Sequence, residues 1–119
     1  MREIEFRAVA KNKKRWVYGD LIHDGTGYSI IERGGGCIKV RPETVGQYTG
    51  RKDKKGKKIF EGDIIKDRLG QVGQIVYSEE YSAFVVDTGE FGYALWFDEE
   101  IEIIGNIWDN KGLLEERDA

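Results

Sequence analysis

Apolar and polar side chains alternate in short runs along most of the chain, which is the pattern of β-strands with one buried face. In the first run, Ile4, Phe6 and Ala8 are separated by charged residues. Similar runs occur at residues 16–22, 28–31, 37–40, 64–66, 72–77, 82–87, 93–97 and 101–108, with turn-forming residues between them. Short strands at intervals of about ten residues, joined by hairpin-length links, predict a small barrel or a sandwich.

The stretch 42–63 differs from these runs and carries the only proline of the chain. Pro42 predicts one short helical turn through Thr44, because proline is tolerated at the first helical position. Asp53 offers a side-chain acceptor and Gly56 tolerates positive φ, so these two residues predict a tight turn with a solvated tip. The stretch is therefore interpreted as a shaped connection between apolar segments.

The length of 119 residues suits one compact domain over 1–119, with subdomains at 1–60 and 61–119 as an open possibility. Hydrophobic residues make up 39% of the chain and charged residues 34%, which is polar but sufficient for a core. No apolar repeat is sustained at helical spacing, and one further helical turn is predicted at residues 113–117. The fold class is therefore mainly β with short helical caps.

Charge is divided unevenly along the chain although the net charge is only -3. Residues 1–76 hold 17 Lys or Arg and 10 Asp or Glu, a balance of +7. Residues 77–119 hold 2 and 12, a balance of -10. Oppositely charged halves can pair within one molecule or present complementary faces to another copy.

The N-terminal residues contain acids and no continuous apolar segment, so the sequence predicts neither a signal peptide nor a membrane span. This pattern indicates a cytoplasmic protein. The lone Cys37 cannot form an internal disulfide and is expected to be packed or half-packed at the start of a strand.

Residue types that carry catalysis or bind metals are scarce. His23 is the only histidine and is expected in an exposed turn, which argues against a histidine metal cluster or a catalytic triad. The acids Asp98, Glu99, Glu100 and Glu102 lack the spacing of a calcium loop and are interpreted as a solvated loop and strand edge. The glycine-rich loops match no nucleotide-binding fingerprint. We therefore expect no catalytic residues, metal, cofactor or small-molecule substrate.

A basic turn is the strongest candidate for a binding surface. Its members are Arg51, Lys52, Lys54, Lys55, Lys57 and Lys58. A second basic cluster lies at residues 11–15, and the aromatic residues Trp16, Tyr48 and Phe60 are close in sequence to one cluster or the other. Cations with interspersed aromatics can hold a nucleic-acid backbone and stack bases. The acidic C-terminal third instead favours contact between the turn and the acidic half of the same chain or of a neighbouring chain, with nucleic acid as the alternative.

Several blocks of the sequence, in order along nearly the whole chain, resemble the YopX family of phage and prophage proteins. These blocks are Arg2–Ala8, Trp16–Gly19, Val45–Gly50, Lys52–Lys54, Gly56–Lys57, Ile59–Ile64 and Ile104–Ile107. The resemblance implies a mainly β pseudo-barrel with short helical caps, for which an SH3-like C-terminal half is one possibility. Residues 67–100 match the family only loosely.

The resemblance carries no catalytic residues to this chain, because the family implies no established activity. It implies a protein encoded by a phage or by a prophage of a bacterial host. We expect a non-enzymatic accessory protein, and the split charge favours binding to itself or to another phage or host protein. The family stretch contributes residues expected to shape or anchor the backbone. These residues are Gly46, Tyr48, Gly50, Asp53, Gly56, Phe60, Gly62 and Asp63.

Overall fold

A computed structural model describes residues 2–95 and 100–116. Within these residues the chain is almost entirely β, with one 3-10 turn at Pro42–Thr44 and one short helix, α1, at Gly112–Glu116. The strands in chain order are β1 (Phe6–Val9), β2 (Trp16–Asp24), β3 (Gly27–Glu32), β4 (Cys37–Lys39), β5 (Gly46–Lys52), β6 (Lys58–Phe60), β7 (Asp63–Lys66), β8 (Val72–Ser78), β9 (Ala83–Asp87), β10 (Gly92–Ala94) and β11 (Glu102–Asn106). The mainly β fold class is confirmed.

The strands form two antiparallel sheets. The first has the order β4-β3-β2-β1-β5-β6 and the second the order β10-β9-β8-β7-β11. Both orders are open-ended within the described residues, so no closed barrel is observed there. By its contacts the chain divides into two compact units, Met1–Gly50 and Arg51–Ala119, and the division falls inside β5.

The core of the first unit is built from small and β-branched side chains on β1 to β4. Ala8, Val17 and Ile30 are fully buried, and Ala10 and Val40 are nearly so. The ends of β1 and β4 meet in an isolated antiparallel bridge between Ala10 and Val40. This bridge curls the four-stranded part of the sheet around its own core.

The core of the second unit is larger and rich in isoleucine. Its buried members are Ile59, Ile65, Ile75, Val86, Leu95 and Ile101. The strands β7 to β10 follow one another as neighbours, and β11 returns to pair with β7. A register shift between Ile103 and Gly105 interrupts that last pairing, which marks a β-bulge of the kind that bends a strand.

The structure corrects several local expectations from the sequence. No strand was expected at β5, because its glycines obscure the alternation in which Gly46 and Tyr48 are buried. His23 lies in β2 and stacks on Tyr28 with ring centroids 4.1 Å apart, rather than in a turn. Cys37 is exposed rather than packed, because it lies on the face of β4 opposite to Ile38, which packs against the core.

Several sequence expectations fall partly on residues outside the described ranges. These residues are Trp96 and Phe97 of the predicted strand 93–97, Asp98 and Glu99 of the acid cluster, and Arg117 of the terminal helical turn. Of the remaining residues, Tyr93 and Ala94 are confirmed in β10 and residues 113–116 in α1, whereas Leu95 lies outside the strand.

Candidate functional site at the basic turn

The basic turn at residues 51–58 is organised by the carboxylate of Asp53, which is only 6% exposed. One carboxylate oxygen, Oδ1, accepts hydrogen bonds from the backbone N–H groups of Lys55 and Lys57, each at 2.9 Å. The Asp53 N–H donates to the Lys57 carbonyl at 2.7 Å, and the Gly56 N–H donates to the Asp53 carbonyl at 2.9 Å. Gly56 has a φ of 83°, a conformation that glycine adopts without steric cost. Asp53 and Gly56 thus close a tight hairpin turn between β5 and β6.

The turn is also tied to a distant segment of the second unit. The other carboxylate oxygen of Asp53, Oδ2, accepts the Ile103 N–H of β11 at 3.1 Å. The Lys54 N–H donates to the Ile101 carbonyl at 2.9 Å. These two bonds hold the turn against the segment that leads into β11, so the lysines of the turn start from a fixed backbone.

Two opposing effects set the pKa of Asp53. Burial disfavours the charged form and would raise the pKa. The hydrogen bonds from the N–H groups of Ile103, Lys57 and Lys55, with the charge of Lys57, outweigh that effect and lower the pKa. The buried carboxylate is therefore held in its charged form.

Two lysines of the turn already hold a carboxylate. The Lys55 Nζ lies 3.0 Å from Glu102 Oε1, and the Lys54 Nζ lies 4.0 Å from the same oxygen. The hydrogen bond and charge of Lys55 lower the pKa of Glu102, and the charge of Lys54 adds to the effect. The structure therefore brings the basic turn together with an acid of the C-terminal third.

Replacing Lys55 with methionine is expected to raise the pKa of Glu102 towards its ordinary value, because the side-chain hydrogen bond and the nearest positive charge are both lost. NMR titration of the Glu102 side-chain carboxyl carbon measures this directly. The matched control is Lys52→Met, which removes the same charge from β5. An unchanged Glu102 pKa in the Lys55 variant would show that the pair does not form in solution.

The remaining cations of the turn differ in exposure. Arg51, Lys52 and Lys57 are exposed, whereas Lys58 at the start of β6 is half-buried. The second basic cluster, at residues 11–15, lies in the first unit. The exposed cations of the basic turn therefore lie at the end of β5 and in the loop that precedes β6.

The aromatic residues near the two clusters are not available as stacking platforms. Tyr48 and Phe60 are 6% and 3% exposed and belong to the interior. Trp16 is half-buried and its ring is covered by the Arg7 guanidinium, which lies 4.7 Å from the ring centroid. None of these three rings is exposed, so they do not support base stacking.

The other residues of the family stretch shape the backbone on both sides of the turn. The Asp63 carboxylate accepts the Phe60 N–H at 2.7 Å. Gly62 lies between these two residues with a φ of 94° and donates its N–H to the Ile75 carbonyl at 2.8 Å. Gly50 also has positive φ, and Gly46 is buried opposite β1.

Glu102 was not recognised from the sequence as the partner of the basic turn. It was grouped with neighbouring acids as a solvated strand edge, and its distance along the chain from Lys55 gives no local signal. The sequence does place Glu102 between Ile101 and Ile103. Because side chains alternate along a strand, this position indicates that Glu102 lies on the face of β11 opposite to these two isoleucines. Pairing it with the turn required the position of β11.

Within residues 2–95 and 100–116, no three His, Cys, Asp or Glu side chains form a group that could hold a metal ion. In the same ranges no helix has the length and apolar character needed to cross a membrane.

The two sheets and the turn define a mainly β protein with two compact units. The chain belongs to the YopX family, whose model, described as YopX protein, matches residues 5–115. Comparison with curated protein sequences gave no significant match. Among solved structures, the chain is similar to protein EF1440 from Enterococcus faecalis, with a TM-score of 0.66 and 23% identity over 96% of this chain and 99% of that chain. This likeness concerns the fold alone.

Proposed function

We propose that this YopX family member is a non-enzymatic phage or prophage accessory protein of the bacterial cytoplasm that binds acidic protein surfaces through the basic turn. The observation that carries the proposal is the contact of Lys54 and Lys55 with Glu102 on a backbone fixed by Asp53. This pairing with a carboxylate of the same chain supports the proposal that the turn binds carboxylates of a partner. Lys52 and Lys57 of the same turn are also exposed and offer charge complementarity to a partner.

The partner in this proposal is a second copy of the chain or another phage or host protein. The C-terminal third supplies the complementary charge, because residues 77–119 have a balance of -10. Glu79 and Glu80 are exposed acids in the turn between β8 and β9. A contact between the basic turn of one copy and acids of another would generate self-association that salt weakens.

The proposal includes a finer description of the fold, a small pseudo-barrel whose C-terminal half is SH3-like. The Ala10–Val40 bridge supports curling of the first unit. In the second unit, the order β11-β7-β8-β9-β10 supports the SH3-like description, since a four-stranded meander is completed by a last strand that returns to the first.

Reversing the charge of Lys52 and Lys57 together to glutamate is expected to abolish partner capture and self-association, because it converts the exposed positive surface into a repulsive one. Light scattering at about 50 mM and about 500 mM salt measures assembly over a range in which surface charges become screened. Pull-down from induced host cells measures heterologous capture. The matched control is Lys11→Glu with Lys14→Glu, which changes the net charge equally in the first unit. A strict monomer at both salt concentrations, together with no capture that depends on the turn, would contradict the proposal.

Nucleic-acid binding is the second candidate, favoured by the exposed cations of the same turn. Phosphate contacts need only positive charge, but base stacking needs exposed rings, and Tyr48 and Phe60 are buried. Fluorescence anisotropy with single-stranded and duplex oligonucleotides at low salt separates the two candidates. Binding that is lost in the Lys52 and Lys57 variant, without any protein partner, would favour nucleic acid over protein.

A further inference from the structure

The outer edge of β4 has backbone groups that point away from β3, and the end of β1 covers only the part of this edge near Val40. The Val40 N–H donates to the Tyr28 carbonyl of β3 at 3.1 Å. Hydrogen-bonded pairs alternate along an antiparallel ladder, so the backbone groups of Cys37 and Lys39 point to the opposite side. The Lys39 carbonyl does so, because it accepts the Lys11 N–H at 2.8 Å. The N–H and carbonyl groups of Cys37 therefore also point away from β3, at a position that the bond between Lys11 and Lys39 does not cover.

A groove lies beside this edge because β1 reaches β4 at a single bridge and then leaves it. After Ala10 pairs with Val40, residues 11–14 turn back, and the Ala10 N–H donates to the Arg15 carbonyl at 2.9 Å. The groove has a volume of about 320 Å³ and is lined by Ala10, Asn12, Lys13 and Arg15 from the turn and by the three residues of β4. It provides space for another extended backbone next to Cys37.

The rim of the groove is positively charged. Lys13, Arg15 and Lys39 all line it. Two of these charges already have partners. The Glu32 carboxylate lies 3.0 Å from the Arg15 guanidinium. The Lys39 Nζ donates to Thr26 Oγ1, and hydrogen bonds from Thr26 together with the charge of Lys39 lower the pKa of Asp24. Lys13 and Lys39 are exposed. A segment placed in the groove would therefore meet a backbone edge on one side and the exposed cation of Lys13 at the rim.

We propose that this groove binds an extended acidic peptide segment of a partner protein, which adds a short strand to the outer edge of β4. Strand addition uses backbone hydrogen bonds for affinity and side-chain contacts for specificity. Here the Cys37 N–H and carbonyl supply the backbone bonds, and the exposed Lys13 selects acidic side chains. The edge is short, so the segment recognised has few residues.

This site is separate from the basic turn. Its residues all belong to the first unit, whereas the cations of the turn from Arg51 onward belong to the second. The proposal does not depend on the proposed function of the turn. The Lys52 and Lys57 charge-reversal variant is expected to bind the peptide as the unmodified protein does.

The probe is a fluorescein-labelled, acetylated peptide of the sequence Glu-Val-Glu-Val-Glu, titrated against the full chain and followed by anisotropy. Two control peptides separate the contributions: one has N-methylated amides in its centre, which removes backbone donors, and one has lysine in place of glutamate. Cys37 is the only cysteine, so its reaction with a thiol reagent reports directly on the groove. We expect the acidic peptide to bind and to slow that reaction, and both controls to bind at least about tenfold more weakly.

Paired variants test the two parts of the site. Lys13→Glu is expected to weaken binding at least about tenfold, whereas Lys14→Glu in the same turn, outside the lining, changes it little. Cys37→Pro removes the outward N–H and is expected to abolish strand addition, while Cys37→Ser retains it. Proline at an edge strand is tolerated when its missing N–H faces away from the sheet. Circular dichroism checks the fold, and the Lys13 and Lys14 pair decides the matter if the proline variant does not fold.

Three results would overturn the proposal. The first is equal binding of the acidic and N-methylated peptides, since strand addition requires the backbone donors. The second is equal loss in the Lys13 and Lys14 variants, which would show nonspecific charge attraction. The third is protection of Cys37 by an oligonucleotide but not by the peptide, which would assign the groove to nucleic acid.

Discussion

Replacing Gly19 with alanine is expected to lower the free energy of unfolding by about 3 kcal/mol or more. A Cβ atom at this position would lie 1.9 Å from the Ile31 carbonyl oxygen and 2.9 Å from its carbonyl carbon. These are backbone atoms of the neighbouring strand, so no side-chain rotation relieves the clash. Gly19 is paired with β1 on one side and β3 on the other. The strands must separate, or the pairing in the middle of the sheet must shift.

Chemical denaturation followed by tryptophan fluorescence measures this change. Gly25→Ala is the matched control, because it makes the same substitution in the adjacent β2–β3 turn, where a Cβ meets no atom within 4 Å. We expect the control to change the free energy of unfolding by only a few tenths of a kcal/mol. Equal effects of the two substitutions would contradict the strand spacing at Gly19.

Replacing Asp53 with alanine is expected to lower the free energy of unfolding by about 3 kcal/mol, because the change leaves three backbone donors without their acceptor. Asparagine should cost less than alanine. Its amide oxygen can still accept from Lys55 and Lys57, but its NH2 group would face the Ile103 N–H. Asp20→Ala, at an exposed position on β2, is the control for loss of an aspartate without loss of a turn.

The contribution of Asp53 also depends on pH. Its pKa is lowered in the folded chain, so the unfolded state takes up the proton first as the pH falls. The stabilisation is present above the ordinary aspartate pKa of about 3.9 and is lost as the pH falls from there through the lower folded value. The stability difference between the unmodified protein and Asp53→Ala should therefore shrink below about pH 4. A difference that stays constant down to about pH 2 would contradict the role of the charged form.

Local chemistry predicted the turns well. The sequence has aspartate followed three residues later by glycine at Asp53 and again at Asp67, and both form the same structure. At the second site the Asp67 carboxylate accepts the Leu69 and Gln71 N–H groups at 2.9 and 2.8 Å. All the atoms that close these turns lie within five consecutive residues, which is why the sequence suffices. The two turns also offer parallel substitutions for comparison.

The strands were predicted where alternation is clear and missed where glycine obscures it. β2, β3 and β8 follow the alternating pattern and lie where expected. β5 contains two glycines and continues into the basic residues, so its pattern resembled a connection. Its assignment depends on pairing with β1, in which Phe6 lies opposite Gln47.

The sequence indicated the basic residues of the candidate site, but it did not indicate which acidic residue pairs with them. The basic residues 51–58 were recognised as a cluster, and acidic protein surface was preferred over nucleic acid as their partner. The particular acid, Glu102, lies on β11, and nothing near Lys55 in the chain indicates it. The exposure of one side chain was also predicted wrongly: Cys37 was expected to be packed, but it is exposed on the edge strand β4.

The sequence by itself determined that the chain is mainly β and that Asp53 and Gly56 form a turn, because alternation and turn chemistry act between residues close in the chain. Only the tertiary structure decided that β11 returns to β7, that Ile103 completes the bonds of Asp53, and that a groove remains beside β4. These features depend on which distant strands pair and in what register. Many pairings satisfy the same local pattern, and only the packing of the whole sheet selects one of them.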